Sequence, residues 1–294
     1  MMQGDLRGEG EPDLDRSRVC DMTPPVLPRR RRDAHKGDFG RVLILGGSVG
    51  FSGAPALAAR AAVSSGAGLV TAAVPPEVWS ATAGLYTGAM VMPWPADDGP
   101  MLEKAARCDA VLVGPGLGQS ERARRLTLAL AQSLTCPLVI DADGLNILAG
   151  HIDSLTGRHG PTILTPHEGE FARLTGCVLP VEDRVGQAAD FARRHGCTLV
   201  LKGHRTVTAG PDGACTVNTT GNPGMARGGS GDALSGLILS LLGQGFHEAA
   251  AMAVWLHGRA GDLAAGEIGE YGMTVDDLIA HIPAAMKECE QGCV

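Results

Sequence analysis

The 294-residue sequence is 44% hydrophobic but only 3% aromatic, so the core of a single domain would consist of closely packed aliphatic side chains. The formal net charge of −7 leaves no excess of basic residues, which argues against a nucleic-acid-binding protein. No apolar stretch reaches the length of a membrane span and no secretory signal is visible, so we expect a cytoplasmic protein without membrane contact.

The first 33 residues differ in composition from the rest of the chain. They are rich in Gly, Pro, Asp and Arg and show no hydrophobic periodicity, which predicts a flexible tail that buries little surface. The basic run Arg29–Arg32 is interpreted as a solvated part of this tail and not as a docking arm for nucleic acid or a protein partner. The folded domain is predicted to cover residues 34–294, and deletion of residues 2–33 is expected to leave fold and activity in place.

The eight cysteines are scattered along the chain and include no CxxC pair. Cys289 and Cys293 lie near the C-terminus without a neighbouring cluster of histidines. We therefore expect reduced thiols, and neither a disulfide nor a zinc site.

Strands and helices alternate from residue 41 onward. Short apolar runs that end in glycine or polar residues predict buried strands, at residues 41–45, 69–74, 110–113, 138–140, 162–164 and 198–201. Longer segments with helix start or stop signals predict helices, at residues 54–65, 121–134, 183–195 and 233–242. Residues 205–209 and 214–217 flank a Gly-Pro-Asp-Gly turn and predict a β-hairpin. This order predicts one α/β domain, with a central, mostly parallel sheet and helices on both faces.

The strongest functional signal is the segment Gly221–Asp232, GNPGMARGGSGD, which precedes an apolar helical stretch. Glycines let backbone N–H groups turn toward a ligand, and the start of the helix adds free donors and a positive dipole end, so an anion hole for a phosphoryl group is predicted. Asp232 lies where a carboxylate can take a proton from a hydroxyl that attacks phosphorus. The alternative is that Ser230 or Asp232 only caps the helix, although capping does not require four neighbouring glycines.

This segment resembles the C-terminal signature of ribokinase-like enzymes. Together with Thr165–Glu170, TPHEGE, it is similar to the narrower family of ADP/ATP-dependent NAD(P)H-hydrate dehydratases, over about residues 35–282. The resemblance implies a ribokinase-like three-layer fold and the repair of hydrated NADH and NADPH. ATP or ADP would phosphorylate the ring hydroxyl, with Mg²⁺ as cofactor, and phosphate would then leave. The implied catalytic residues are the base Asp232 and the anion-hole residues Gly229, Ser230 and Gly231.

The TPHEGE motif carries two further candidate residues. His167 stands where kinases of this fold have Asn, and the resemblance implies that it contacts the hydrated dinucleotide together with Asp232. Glu170 stands where those kinases have a Glu that acts on magnesium through water. The alternative is a loop histidine with a capping Glu in the first helical turn.

The resemblance also assigns binding residues to loops that follow strands. Substrate contacts are implied at Ala54, Gly114, Gly116 and Gly118. Nucleotide contacts are implied at Lys202, Gly203, His204, Arg205, Thr206 and Gly231. Lys202 and Arg205 can meet phosphate charge, and the alternative is a solvated hairpin entry with two surface cations. The loop before Ala54 also allows a Rossmann interpretation, but Pro75-Pro76 stands where an acidic residue would be needed.

Three loop residues and one departure from the family pattern add to this picture. Asp141, Asp143 and Asn146 follow a strand and are expected near the active site, without assigned roles. Arg227 stands where many relatives have Thr or Lys, and an arginine there can contact phosphate and change which nucleotide is preferred.

Two other functions compete with this interpretation. A kinase of the same fold, acting on a vitamin precursor or sugar alcohol, is disfavoured by His167 and by the complete GNPGMARGGSGD string. A non-catalytic nucleotide sensor is disfavoured by the intact Asp232. The resemblance further implies a homo-oligomer, such as a tetramer. Many relatives carry an N-terminal epimerase domain, and here only a short tail precedes the predicted fold, so a separate NAD(P)H-hydrate epimerase or spontaneous epimerisation is expected.

Overall fold

A computed structural model describes residues 18–290, and a ten-stranded sheet runs through their centre. In chain order the strands are β1 (Val19–Asp21), β2 (Arg41–Leu45), β3 (Leu69–Val74), β4 (Met90–Pro93), β5 (Ala110–Val113), β6 (Leu138–Ile140), β7 (Thr162–Leu164), β8 (Thr198–Leu201), β9 (Val207–Ala209) and β10 (Cys215–Val217). Their order across the sheet is β1-β10-β9-β8-β7-β6-β5-β2-β3-β4. Strand β9 is antiparallel to β8 and β10, and the other neighbouring strands are parallel.

Ten α-helices lie in the described part of the chain. They are α1 (Gly53–Ser64), α2 (Pro76–Leu85), α3 (Gly99–Ala106), α4 (Glu121–Ser133), α5 (Asp143–Leu148), α6 (Glu168–Thr175), α7 (Arg184–His195), α8 (Ser230–Gly243), α9 (Ala249–Ile268) and α10 (Val275–Glu288). The sheet is apolar on both faces, because alternate side chains of a strand point in opposite directions. Val42 and Ile44 pack in the cluster that contains α1 and α8 to α10, whereas Leu43 and Leu45 pack with α3 to α7. The predicted three-layer α/β architecture is thereby confirmed.

The predicted strands agree closely with the structure, whereas several helices and short strands were not predicted. The six parallel strands predicted from apolar runs have the same bounds in the structure. Both hairpin strands are shorter than predicted. Strand β9 begins later because Arg205 adopts a left-handed conformation with φ 55°. Sequence patterns did not predict β1, β4, α2, α3, α5, α6, α9 or α10.

The segment of residues 18–33 packs against the domain. Strand β1 extends the sheet by parallel pairing with β10. Leu27 is only 4% exposed, belongs to the core, and its N–H donates to Cys289 O over 2.8 Å. Arg30 stacks on the Phe39 ring at 3.7 Å and donates to Gly66 O over 2.7 Å. The prediction of a flexible tail is therefore wrong for residues 18–33, because single buried or hydrogen-bonded residues produce no periodic pattern. Residues 1–17 lie outside the described residues.

Two other expectations concern membrane spans and thiols. Between residues 18 and 290, no helix combines the length and the apolar character that crossing a bilayer requires. The cysteines of that range are free, and Cys293 lies outside it. Burial raises the pKa of Cys197 to about 12, so this thiol stays protonated and unreactive at neutral pH.

Leu27 offers a direct test of how strongly the segment of residues 18–33 stabilises the domain. Leu27→Ala should lower the free energy of unfolding by about 2–5 kcal/mol, because it removes a buried side chain and leaves a cavity. Val26→Ala is the matched control, since the neighbouring Val26 is 60% exposed and should change stability by less than about 0.5 kcal/mol. Urea denaturation measures both, and equal small effects would show that this segment does not support the fold.

Candidate active site

The loops that follow the parallel strands meet at one edge of the sheet. The strand order reverses between β2 and β5, because β3 and β4 extend the sheet on one side and β5 to β8 on the other. Loops diverge at such a reversal and leave the crevice in which open α/β sheets bind ligands. Gly47 N donates to Pro115 O over 2.9 Å, and Ser48 Oγ donates to Gly116 O over 2.8 Å. The glycine loops after β2 and β5 are therefore held together at this crevice.

The four predicted substrate residues of these loops lie close together. A Cβ on Gly116 would lie 3.0 Å from Ala54 Cβ, and Gly116 has φ 58°. Gly114 has φ 130°, and a Cβ there would overlap the backbone that follows β6. Gly118 N donates to Asp143 Oδ2 over 2.8 Å. Asp143, which had no assigned role, thus fixes the loop, and contact of these residues with a substrate stays a prediction.

A largely buried ion pair joins the ends of β6, β7 and β8. Lys202 Nζ lies 2.8 Å from Asp141 Oδ1 and 3.8 Å from Glu170 Oε2. Thr165 Oγ1 donates to the same Asp141 oxygen over 2.7 Å. Burial alone would lower the pKa of Lys202, but Asp141 and Glu170 outweigh burial and raise it, so the ammonium stays charged. Lys202 is therefore an internal cation of the site and not a surface residue of a solvated hairpin entry.

Helix α8 begins beside this ammonium group. Its N-cap residue is Gly229, with φ 95°, and no side chain caps the helix. The alternative that Ser230 or Asp232 serves as the cap is therefore wrong. A Cβ on Gly231 would lie 3.3 Å from Lys202 Nζ. The uncapped N–H groups of the first turn, the positive end of the helix dipole and the ammonium group thus lie next to one another, an arrangement that suits an anion.

Asp232, in the first turn of α8, has a strongly perturbed carboxyl group. Burial raises its pKa to about 7, and Asp141 adds to this effect while Lys202 opposes it. At neutral pH such a carboxyl is divided between its protonated and ionised forms. A general base works best when its pKa lies near the working pH, so Asp232 has the property that the predicted role requires.

His167 and Glu170 cap α6 reciprocally. His167 Nδ1 accepts from Gly169 N at 3.0 Å and from Glu170 N at 3.3 Å, and Glu170 Oε2 accepts from His167 N at 2.8 Å. The capping arrangement given above as the alternative is therefore present. It leaves the imidazole 55% exposed, with the proton on Nε2 because Nδ1 acts as the acceptor. The exposed edge remains able to bind a ligand, and contact with the dinucleotide stays a prediction.

The segment Lys202–Thr206 leads from β8 into the hairpin and is held from two sides. Arg184 donates to His204 O over 2.7 Å. Arg205 donates to Asp21 Oδ1 of β1 over 2.7 Å. Both cations predicted to meet phosphate, Lys202 and Arg205, are thus paired with carboxylates. Contact of the segment with a nucleotide stays a prediction.

Arg227 lies in the glycine-rich loop and interacts with backbone carbonyl groups. Its Nε donates to Gly224 O over 3.3 Å, and its Nη2 donates to Tyr271 O. The side chain therefore ties the loop to the connection between α9 and α10.

Two polar residues of α9 were missed by the sequence analysis. Asp262 Oδ2 accepts from Gly221 N at 2.9 Å, at the beginning of the glycine-rich loop. His257 Nε2 lies 3.0 Å from Ser230 O, at the end of that loop. Their signal in the sequence is weak, because His257, Arg259 and Asp262 stand scattered among small and apolar residues in WLHGRAGD and form no recognisable motif. Neither residue follows a strand, which is where ligand-binding residues of an open α/β sheet are expected.

Comparison with known proteins gives the family. The family model for NAD(P)H-hydrate dehydratase matches residues 42–284. The chain belongs to the NAD(P)H-hydrate dehydratase family. It is 46% identical over 278 residues to the bifunctional NAD(P)H-hydrate repair enzyme Nnr of Moorella thermoacetica, which covers 90% of this chain and 52% of that protein. It is 42% identical over 251 residues to the ADP-dependent (S)-NAD(P)H-hydrate dehydratase of Neisseria meningitidis, which covers 82% of each chain.

A solved NAD(P)H-hydrate dehydratase is similar over most of the chain. The ADP/ATP-dependent enzyme from Bacillus subtilis, co-crystallised with ATP/Mg²⁺, has a TM-score of 0.78 and 34% identity, covering 90% of this chain and 95% of that one. The chain spans about half the length of the curated bifunctional relatives it matches. These matches confirm the predicted family and the ribokinase-like fold.

The raised pKa of Asp232 predicts a pH-dependent cost in stability. The unfolded chain ionises an aspartate near pH 4, whereas the folded protein keeps this carboxyl protonated up to about pH 7. The penalty for ionising it in the folded state therefore grows between these values and is complete above them. Asp232→Asn should raise the thermal unfolding midpoint, and more so at about pH 8 than at about pH 5.

The exposed Asp97 provides the control for this measurement. Asp97→Asn should leave the midpoint nearly unchanged at both pH values. An equal gain for Asp232→Asn at the two pH values would contradict a raised pKa at Asp232.

Proposed function

We propose that the chain catalyses the nucleotide-dependent dehydration of hydrated NADH and NADPH and so returns them to NADH and NADPH. The observation that carries the proposal is Asp232, whose pKa is about 7 and which lies in the uncapped first turn of α8, beside Lys202. A base and an anion-binding helix start are the two parts that phosphorylation of a hydroxyl requires. The names of the Neisseria and Bacillus relatives support hydrated NAD(P)H as substrate and ADP or ATP as co-substrate.

The chemistry proceeds in two stages. The hydroxyl of the hydrated nicotinamide ring attacks the terminal phosphoryl group of the nucleotide, and Asp232 takes the hydroxyl proton. The bond from that phosphorus to its bridging oxygen breaks, and the nucleotide leaves one phosphate shorter, as ADP from ATP or AMP from ADP. The N–H groups of Gly229 and Gly231, with the ammonium of Lys202, offset the charge on the phosphoryl oxygens. The N–H of Ser230, the third anion-hole residue, donates to Arg227 O over 3.3 Å and would have to exchange this bond for one to the phosphoryl group. Phosphate then leaves from the ring carbon and a ring proton is lost, which restores the carbon–carbon double bond. Phosphorylation matters because phosphate is a far better leaving group than hydroxide.

The oxygen donors near α8 fit a magnesium ion held mainly by phosphate and water. Asp141, Glu170 and Asp232 offer hard oxygen ligands, which Mg²⁺ prefers. Over residues 18–290, however, no group of three or more His, Cys, Asp and Glu side chains forms a metal cage. We propose that Glu170 contacts Mg²⁺ through water. When bound, Mg²⁺ neutralises charge on the phosphates of the nucleotide.

The two substrates occupy different parts of the crevice in this proposal. The nucleotide binds along Lys202–Thr206 and Gly231, and the hydrated dinucleotide binds at Ala54, the loop Gly114–Gly118 and His167. The charges of Lys202 and Asp141 on one side, and of Asp143, which accepts from Gly118 N, on the other, act on Asp232. In this proposal Asp232 therefore lies between the two substrates. We also propose a cytoplasmic location, assembly as a homo-oligomer and a separate epimerase that acts on the same substrate.

The proposed function is tested with hydrated NADH, Mg²⁺ and either ATP or ADP. The wild-type chain should restore the near-ultraviolet absorbance of NADH, at a rate that rises with pH through a pKa near 7. Asp232→Asn should lower kcat by about 10²- to 10⁴-fold and leave nucleotide affinity nearly unchanged. Activity of this variant within a few-fold of wild type would remove Asp232 as the base. Phosphorylation of a vitamin precursor or sugar alcohol, without dehydration, would support a kinase instead.

Substitutions at His167 separate substrate binding from helix capping. His167→Ala removes the cap of α6 and should cost about 1 kcal/mol of stability, whereas His167→Asn retains a preferred capping residue. Both variants should raise KM for the hydrated dinucleotide by about fivefold, as expected for one lost hydrogen bond, with little change in KM for ATP. If Asn restores the wild-type KM, the imidazole acts only as the cap.

A further inference from the structure

Helix α9 supports the glycine-rich loop that leads into α8. At the beginning of the loop, Asp262 accepts hydrogen bonds from Gly221 N at 2.9 Å and from Asn222 Nδ2 at 3.1 Å. The loop packs so closely on the helix that a Cβ on Gly258 would overlap Thr220 Oγ1. Because small residues of α9 allow this approach, the helix can also contact the far end of the loop, where α8 begins.

At that far end, His257 donates a hydrogen bond to the first residue of α8. Its side chain is buried, with 8% of the residue exposed, and its Nε2 lies 3.0 Å from Ser230 O and 3.4 Å from Ser230 Oγ. Burial lowers the pKa of His257 to about 4, so the imidazole is neutral at physiological pH and carries one N–H. A carbonyl oxygen can only accept, so that N–H is on Nε2.

The peptide bond between Ser230 and Gly231 links this contact to the anion hole. A trans peptide is planar, and its C=O and N–H point in opposite directions. A donor that fixes the direction of Ser230 O therefore also fixes the direction of Gly231 N–H. That N–H precedes the first intrahelical hydrogen bond of α8, which Ala233 N makes to Gly229 O at 3.0 Å, so it remains available to a ligand. A hydrogen bond to the carbonyl also polarises the peptide and strengthens its N–H as a donor.

We propose that His257 is a positioning residue for phosphoryl transfer, which acts through the Ser230–Gly231 peptide. The neutral imidazole donates from Nε2 to Ser230 O and thereby aims and polarises Gly231 N–H toward the phosphoryl oxygens. The proposal rests on the proposed function for the identity of that phosphoryl group. It gives a catalytic reason for a buried histidine in a helix that does not itself follow a strand of the sheet.

The test compares two substitutions at His257. His257→Leu keeps an apolar bulk but removes the donor, whereas the side-chain amide of His257→Gln can still donate to Ser230 O. His257→Leu should lower kcat for hydrated NADH by about 10- to 100-fold, which is less than the ~10²- to 10³-fold typical for loss of a direct oxyanion donor. Affinity for ADP should change little, because the aimed N–H matters most in the transition state. His257→Gln should recover most of the lost rate.

A structural control separates positioning from support of the fold. Met252→Ala removes a buried side chain of α9 (7% exposed) more than one turn before His257. Met252→Ala should lower the thermal unfolding midpoint by at least as much as His257→Leu does. It should nevertheless leave kcat unchanged at temperatures below the onset of unfolding. Equal losses of kcat in Met252→Ala and His257→Leu, or no recovery with Gln, would overturn the positioning role.

A second readout does not depend on the dinucleotide substrate. ADP with fluoroaluminate and Mg²⁺ mimics a phosphoryl group in transfer, and His257→Leu should weaken its binding about tenfold or more relative to ADP alone. If the wild-type chain binds this mimic but does not dehydrate hydrated NADH, the proposed function fails while His257 is still tested. Equal binding of the mimic by wild type and His257→Leu would overturn the proposal for His257. Absence of nucleotide binding by the wild-type chain would overturn both.

Discussion

The site depends on the ion pairs that the Lys202 ammonium group forms with neighbouring carboxylates. This ammonium group lies beside the buried carboxylates of Asp141 and Glu170. Removal of the ammonium group, or of the carboxylates, would leave an uncompensated charge in the interior. The pair joins the ends of three neighbouring strands and lies next to the first turn of α8. One cation among several carboxylates does not neutralise them all, and this imbalance, added to burial, keeps the pKa of Asp232 high. The ion pair that organises the sheet edge thus also tunes the base.

The position of α8 relative to this charge is set by packing in the core. Helices α1 and α8 can cross closely because Gly236 has no side chain. A Cβ at this position would overlap Ala58 O. At the other end of the site, φ 130° at Gly114 allows the β5 loop to touch the backbone after β6. Side chains at either position would separate elements that now meet. At these two positions glycine therefore serves the fold by allowing close approach of backbone segments and not by its flexibility.

The sequence predicts those features that repeat along the chain or follow strands. Continuous apolar runs mark the buried parallel strands, and polar residues after them mark the ligand edge, which singles out Lys202 and His167. Asp232 was singled out by the glycine-rich segment before α8, and the roles of these residues came from the family resemblance. Helix α9 is apolar around most of its circumference, and such a helix lacks the polar face that periodicity detects. His257 and Asp262 were missed with it, because their partners are 27 and 41 residues away in the chain. Leu27 was missed because one buried leucine among prolines and arginines forms no pattern.

The predicted nucleotide segment shows how distant parts of the chain position one loop. Its backbone is held by Arg184 of α7, its first residue is held by Asp141, and Arg205 is paired with Asp21 of β1. The Arg205–Asp21 pair is exposed and therefore contributes little stability by itself. Its consequence is geometric: β1 is an edge strand whose pairing with β10 brings a carboxylate to the hairpin entry. A nucleotide bound at Arg205, as proposed above, would have to compete with this carboxylate for the guanidinium group, so β1 would then affect nucleotide affinity through charge and not through fold stability alone.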